Sequence, residues 1–597
     1  MAIEGLHSLR LRFRRRFRSR QRQVVRMSLE AEEQIEERFF KRLNRLSRVR
    51  RFIALWVLLL VGLLAGVMAQ LQALTGYYQT LQYVSGGTYS EGVIGSYTNA
   101  NPLYATGSAD AAVSRLVFAG LLKYDNAGNL SGDLAQSWTA NERGTVYTVV
   151  LRPGLTWQDG AALTADDVVF TYHLIQNPDA HSPLANSWQN IKIAATDART
   201  VTFTLPGALS SFPHSLTTGL VPQHILKDVA AGSLRSDPFN TTTPIGAGPF
   251  RLNAVQVSGD TPTNRQEQIS LVPFDKYHAG RPKLDQFVVH AFRSQDEMLA
   301  SYETHDLTAI AGGSVVPTDD RAVKGQEVNN MITAAANMVF FKTSQGVLAD
   351  KAVRQALVTA ADPAAIIKQL GYQTPLVNQP FLQGQVSSES GLTQQTGNLA
   401  KAKAALDAAG WTEGKGGVRG KDKTKLAFSL YAQDTPEDRV VVEALRRQWQ
   451  AAGANVSIEL QDAPTLQDTI TFHNYDALLY GITIGRDPDV FPYWHSSQAD
   501  VRSANRLNFS EYKSSTADAA LEAGRARTDA SVRSVKYKPF LQAWLDDAPA
   551  LGLYQPRYIY VSNTHIEGLM PHELVSPVDH YSNVHNWMIR QARVTHQ

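Results

Sequence analysis

Asp159, Asp166 and Asp167 fall within nine consecutive residues beside Trp157 and Tyr172, in the stretch LRPGLTWQDGAALTADDVVFTYHLI (151–175). Carboxylates this close can act as a general acid and base, share a proton or hold a metal ion. A second gathering, HELVSPVDHYSNVH (572–585), brings together His572, Glu573, Asp579, His580 and His585. Imidazole and carboxylate are the donor types of nickel and zinc sites, yet the spacing fits no closed set such as His-Glu-x-x-His. GKGGVRG (414–420) has no strand-then-helix frame for a phosphate, and no Gly-x-Ser-x-Gly elbow is present. The absence of cysteine excludes disulfides, thiolate metal sites, cysteine nucleophiles and thioether lipid anchors.

The surroundings of the three aspartates decide their role. Thr164 stands where a helix begins, Asp167 three residues on can close a capping box, and Asp166 lies in the first turn. Carboxylates there face the positive end of the helix dipole, worth ~0.3–1 kcal/mol. Val168, Val169, Tyr172 and Ile175 recur at helical spacing and pack inward. Gln158-Asp159-Gly160 reads as a turn. The acids are expected to be architectural, and the chain is not expected to be an enzyme.

Strand and helix patterns alternate along the rest. TVYTVVLR (145–152), TVTFTL (200–205) and NVSIEL (455–460) alternate polar and apolar residues as half-buried strands do. TPEDRVVVEALRRQWQAAG (435–453) is a helix with Thr435 as N-cap, Pro436 in its first turn, Asp438 closing a capping box and Gly453 as its stop. Over 597 residues this alternation means an α/β chain of more than one lobe.

Charge divides the chain sharply. Residues 1–51 hold 16 Lys/Arg against 6 Asp/Glu, and the remainder is acidic. FIALWVLLLVGLLAGVMA (52–69) is an uncharged run of 18 residues, the length of a membrane-spanning helix, with Arg48, Arg50 and Arg51 on its amino side. Positive flanks place the amino terminus in the cytoplasm and everything after the span outside. A cleaved signal peptide is the competing reading, since Val67-Met68-Ala69 resembles a cleavage site; the long run and long arm favour an anchor. The arm, with RLRFRRRFRSRQRQ (10–23), is expected to face lipid rather than nucleic acid, and SLEAEEQIEERFFKRLNRL (28–46) can form an amphipathic partner helix.

The stretch at 151–175 also resembles a signature of the extracellular solute-binding proteins of family 5, the oligopeptide-, dipeptide- and nickel-binding receptors of ABC importers. Leu151, Arg152, Gly154, Trp157, Asp159, Gly160, Leu163, Thr164, Ala165, Asp166, Asp167 and Val168 match it in order. PIGAGPFRL (244–252), DKAVRQALVTAADPAAII (350–367) and NYDALLYGITIGRDPDVFPYWHSS (474–497) resemble further segments of the family, over about residues 93–590. The chain departs from that family in having neither a lipid-modifiable cysteine nor a clear cleavage site.

The resemblance implies a type 2 periplasmic-binding-protein fold, two hinged lobes with an extra subdomain in the first, preceded by one transmembrane helix. The expected divisions are a basic tail (1–51), the membrane helix (52–74), a linker (75–92), lobe I (93–125, 246–340 and 556–597), the extra subdomain (126–245) and lobe II (341–555). Strands near 337–343 and 551–561 should cross between the lobes. Ligand contacts are expected from the loop around Arg486 and Asp487, with Asp487 meeting a peptide's amino group, from Tyr480, Tyr493 and Trp494 as walls, and from Asn101 in NANPL (99–103). The implied function is an anchored extracellular receptor binding oligopeptides between its lobes and serving a permease and ATPase. It needs no cofactor, metal or nucleic acid. The alternative is a sensor or scaffold that signals through the membrane helix.

Overall fold

Segments rich in Tyr, Val, Ile and Phe build the sheets on which everything else rests, because such side chains suit a pleated, buried surface. The structure, a computed structural model, describes residues 50–259, 265–318, 321–386, 392–500, 502–503 and 506–595. Residues 1–49 of the basic tail, with its expected amphipathic helix, lie outside the described residues.

The chain divides into two units. The smaller holds the helix Arg50–Tyr78 and, up to Gln82 and from Gln591, most of a two-stranded ribbon of Gln79–Val84 and Arg590–Thr595. Within the helix, Phe52–Gln72 is long and apolar enough to cross a membrane, and none of it is buried by the protein. The linker expected at 75–92 is instead ordered: the helix runs to Tyr78, and Gln79–Val84 and Thr88–Ile94 are strands. The segment's Gly, Ser, Thr and Tyr suggest a tether, but its Tyr, Thr and Val residues are strand-formers and pair here.

The larger unit, residues 83–590, carries the α/β part. Its first sheet has seven strands, in the order Glu327–Ile332, Arg557–Ser562, Ala309–Gly313, Thr88–Ile94, Gln286–Phe292, Gln266–Pro273, Phe250–Ser258. Its second has five: Asn455–Gln461, Ala427–Gln433, Ala477–Thr483, Ala335–Phe341, Ala550–Tyr554. Two chain segments pass between them. Glu327–Ile332 continues through Thr333 and Ala334 into Ala335–Phe341, and Ala550–Tyr554 through Gln555 and Pro556 into Arg557–Ser562. The first crossing therefore falls at 333–334, ahead of the expected boundary at 340, and Ala335–Phe341 belongs wholly to the second sheet. Its register, with Val339 between Leu479 and Leu551, buries it on both sides.

A separate four-stranded antiparallel sheet, Ala135–Ala140, Val146–Leu151, Thr200–Thr204, Lys192–Asp197, is covered by the helix Ala165–Gln176. Tyr172 stacks on Trp188 at 4.0 Å and meets Phe203 edge-on at 5.5 Å. The helix start is built as its sequence indicates. The Thr164 N–H donates to Asp167 Oδ2 at 2.9 Å, while Asp167 Oδ1 accepts from the Gln223 N–H, also at 2.9 Å. Asp159 turns away to His224 Nε2 at 2.7 Å, and Asp166 is exposed.

The helix Pro436–Ala452 likewise has Thr435 as N-cap, its hydroxyl accepting from the Asp438 N–H at 3.0 Å, and ends at Gly453 with φ +102°. The reciprocal arm differs from expectation. The Thr435 N–H donates to the Gln433 carbonyl at 2.9 Å, so the Asp438 carboxylate does not close a box.

Asp167→Ala removes the acceptor of two backbone N–H groups and should lower unfolding free energy by about 1–3 kcal/mol. Asp166→Ala should change it by less than ~0.5 kcal/mol. Urea unfolding of both variants checks this; equal losses would show the carboxylates to be interchangeable.

Candidate functional site

The open ends of strands in an α/β sheet are where ligand crevices form. Here the strand Ala427–Gln433 stops just before the helix at Pro436, and the first sheet delivers Gly312 to Ser314 and Arg557 to the same place. Between them lies a cavity of about 420 Å³ at the junction of the two sheets, walled by Ser314, Asn337, Glu437, Asp438, Tyr480 and Arg557. Tyr480 and Gly481 also line a larger cavity, about 930 Å³, whose other walls include Phe472, Tyr493, Arg506 and Phe509. A Cβ at Gly481 would stand 2.8 Å from Asn337 Oδ1, so a larger residue there would push that amide aside.

The two ends differ in chemistry. At the junction, Glu437 Oε1 accepts from the Tyr554 hydroxyl at 2.8 Å. Burial pushes the neighbouring Asp438 carboxyl up to about 6, with the Thr435 hydroxyl opposing and the charge of Glu437 adding. Arg557 lies over the Tyr372 ring at 3.7 Å and donates to Asn330 Oδ1 at 3.0 Å. In the larger cavity Phe472 is 73 % exposed, an apolar platform on the surface of the second lobe. Tyr480 meets Phe509 edge-on at 5.4 Å. Arg506 supplies the cation, held by Glu511 at 3.1 Å.

Of the residues expected from sequence, Tyr480 and Tyr493 line the larger cavity together. The Tyr493 hydroxyl donates to the Thr483 carbonyl at 2.8 Å, and burial pushes it up to about 12. Trp494 is a correction. It is fully buried, stacked on Phe340 at 5.6 Å and edge-on to Trp544 at 5.7 Å. Successive side chains on the short helix Phe491–Trp494 point about 100° apart, so Tyr493 and Trp494 cannot share a wall.

Asn101 is a second correction. It is fully buried, donating to Asn240 Oδ1 at 3.0 Å and accepting from the Leu103 N–H at 3.0 Å. The N–H groups of Asn99, Ala100 and Asn101 are likewise bonded within the protein, so the segment shapes a loop.

Asp487 and Arg486 hold protein partners. Asp487 pairs with Arg533 Nη1 at 2.7 Å, both side chains nearly buried, and burial raises its carboxyl while that guanidinium opposes. Arg486 reaches Glu573 at 2.9 Å. The histidine-rich segment disperses: His580 faces Glu91 at 3.3 Å, Asp579 caps the Ser576 N–H at 2.7 Å, and His572 bonds the Met570 carbonyl. Among the described residues no group of three or more such side chains is placed to hold a metal.

Glu437, Asp438, Asn337 and Arg557 escaped the sequence reading. The two acids look like ordinary first-turn residues, and the one available signal was their place at the carboxyl end of a strand.

The two sheets joined by two crossing segments, with a cavity at the junction, define a type 2 periplasmic-binding-protein fold. Residues 129–505 match the profile described as bacterial extracellular solute-binding proteins, family 5 Middle, and the chain belongs to that family. It is 27 % identical over 519 residues to the oligopeptide-binding protein AppA of Bacillus subtilis, covering 84 % of this chain and 92 % of that one. The structure of AppA from Bacillus subtilis in complex with a nonapeptide superposes with a TM-score of 0.69 at 25 % identity, over 85 % of this chain and all (100 %) of the other. NikZ from Campylobacter jejuni in complex with Ni(L-His) shares the fold, with a TM-score of 0.70 at 23 % identity over 84 % of this chain and 99 % of that one.

The raised Asp438 carboxyl has a pH consequence. The folded protein holds that proton more tightly than the unfolded chain, so the group's stabilisation is full below its ordinary value of 3.8 and fades as pH rises through about 6. Wild type should lose up to ~3 kcal/mol relative to Asp438→Asn across that window. Denaturant unfolding of both at the two ends of the window measures it, and parallel curves would refute the assignment.

Proposed function

We propose that this chain is a membrane-anchored, extracellular receptor of an ABC importer that binds oligopeptides between its lobes. The observation that supports it most is the pair of cavities that share Tyr480 and Gly481 in their walls, one lined from both lobes and carrying Glu437 and Asp438, the other large and aromatic. A peptide needs an acceptor for its ammonium and room for side chains of varied shape. Glu437 and Asp438 offer the first, and Phe472, Tyr480, Tyr493 and Phe509 the second, aromatic faces accepting many side chains without demanding one. The kinship with the oligopeptide-binding protein supports the same class of ligand. Asp487 and Arg486, engaged with Arg533 and Glu573, are left out of the ligand set. Binding is reversible, and the energy of contact favours the closed lobes.

The helix Phe52–Gln72 serves as the anchor, holding the receptor at the membrane beside its permease and ATPase. The mature protein should therefore retain residues 1–69, and an intact mass beginning at Gln70 would contradict this.

Calorimetry of the full chain in detergent with a tetrapeptide to octapeptide set tests the ligand class. Glu437→Gln should weaken free peptides more than about tenfold, the cost of leaving a buried charge without its partner. Amino-acetylated peptides should bind wild type and variant alike. Absence of heat with every peptide, or equal losses on acetylation in both proteins, would sink the reading.

A further inference from the structure

Away from the cavities, the lobes are joined directly by charged contacts. The loop that follows the strand Ala477–Thr483 carries Arg486 and Asp489 toward the first lobe. Arg486 Nη1 lies 2.9 Å from Glu573 Oε2, and Nη2 donates to the Ala127 carbonyl at 3.1 Å. Ala127 sits in the turn between the strands Leu122–Tyr124 and Leu130–Gly132. The next residue, Gly128, has φ +75°, and a Cβ there would stand 2.1 Å from Arg486 Nη2. The turn thus leaves room for the guanidinium, and a side chain at 128 would have to push it from its place.

Glu573 links this contact to the crossing segments. Its Oε1 accepts from Gln555 Nε2 at 3.1 Å, and the same amide donates to the Thr333 carbonyl at 3.1 Å. A second arm lies at the extra subdomain. Asp489 Oδ2 accepts from Ser211 Oγ and from Arg525 Nη2, each at 2.9 Å, and the Ser210 N–H donates to the Arg525 carbonyl at 2.9 Å. Arg525 is steadied 4.1 Å over the Phe491 ring. These side chains are far from fully solvated: Arg486 is 31 % exposed, Glu573 29 %, Arg525 25 % and Asp489 9 %.

We propose that the two arms form a latch that holds the lobes closed in the absence of solute, so that solute entry requires the Arg486–Glu573 and Asp489–Ser211 contacts to part. Bonds to charged groups are the strong ones, and partial burial shields them from salt. Opening would strip Ser211 from Asp489 and separate Arg486 from both of its first-lobe partners at once. A receptor built this way binds less tightly than its cavity allows, by the fraction of time it stands open. Loosening the latch speeds solute association.

The chain has no cysteine, so engineered thiols are the sole labelling sites. His173→Cys on the exposed side of the helix Ala165–Gln176 and Ala404→Cys on the helix Leu399–Ala408 report on the two lobes. Pulsed electron resonance on the full chain in detergent, dialysed until mass spectrometry finds no carried solute, should give one short distance. Arg486→Ala and Glu573→Gln should each raise the open-to-closed ratio about tenfold or more, the effect of losing one charged hydrogen bond. Ser211→Ala should move it in the same direction. Circular dichroism melting confirms folding, and Glu573→Gln carries the test should Arg486→Ala misfold. A long distance already dominant in solute-free wild type, or distributions unchanged in the variants that fold, would overturn the latch.

Discussion

Two short chain segments, Thr333–Ala334 and Gln555–Pro556, carry the whole covalent connection between the sheets, and they are bonded to one another. The Thr333 N–H donates to the Pro556 carbonyl at 2.9 Å, its hydroxyl reaches the same oxygen, and Gln555 Nε2 returns to the Thr333 carbonyl. A pair of segments tied side by side can bend but cannot slide, which confines relative motion of the lobes to a rotation about this line. The junction cavity, the acidic pair and Tyr480 lie next to that line, where a small rotation opens or closes them with little strain.

The same constraint explains why charge is distributed as it is. Asp438 borders the junction cavity beside Glu437 as a half-buried acid with no cation of the protein among the causes of its raised carboxyl, a group that gains from a cation arriving from outside. Asp487 and Asp489 instead sit against Arg533 and Arg525 of their own lobe, and an isolated buried carboxylate in that contact would be costly. Carboxylates in the two places thus differ: Asp487 and Asp489 are neutralised by the protein itself, and the pair at the junction is the one the proposed peptide ammonium would meet.

Much of this was legible in the sequence. The capping at Thr164 and Asp167, the strand at 146–151 and the helix at 436–452 follow from local spacing alone, and the dense match at 151–168 led to the family. What failed depended on tertiary placement. Trp494 and Tyr493 are adjacent in sequence yet point to different environments, and Asn101 spends its amide on Asn240, 139 residues away. The linker expected at 75–92 paired into strands because partners stood ready elsewhere in the chain. Glu437 and Asp438 became site residues only when the first sheet brought Ser314 and Arg557 opposite them. No local pattern announces such a meeting.

Hydrogen exchange of the full chain, with and without a saturating peptide mixture, tests the central claim that solute is gripped at the junction of the lobes. Amides at 312–314, 433–438 and 481–485 should exchange more slowly with peptide present, while the sheet of Ala135–Ala140 and Lys192–Asp197 stays unchanged. Protection confined to that separate sheet, or none in either place under binding conditions, would contradict the account.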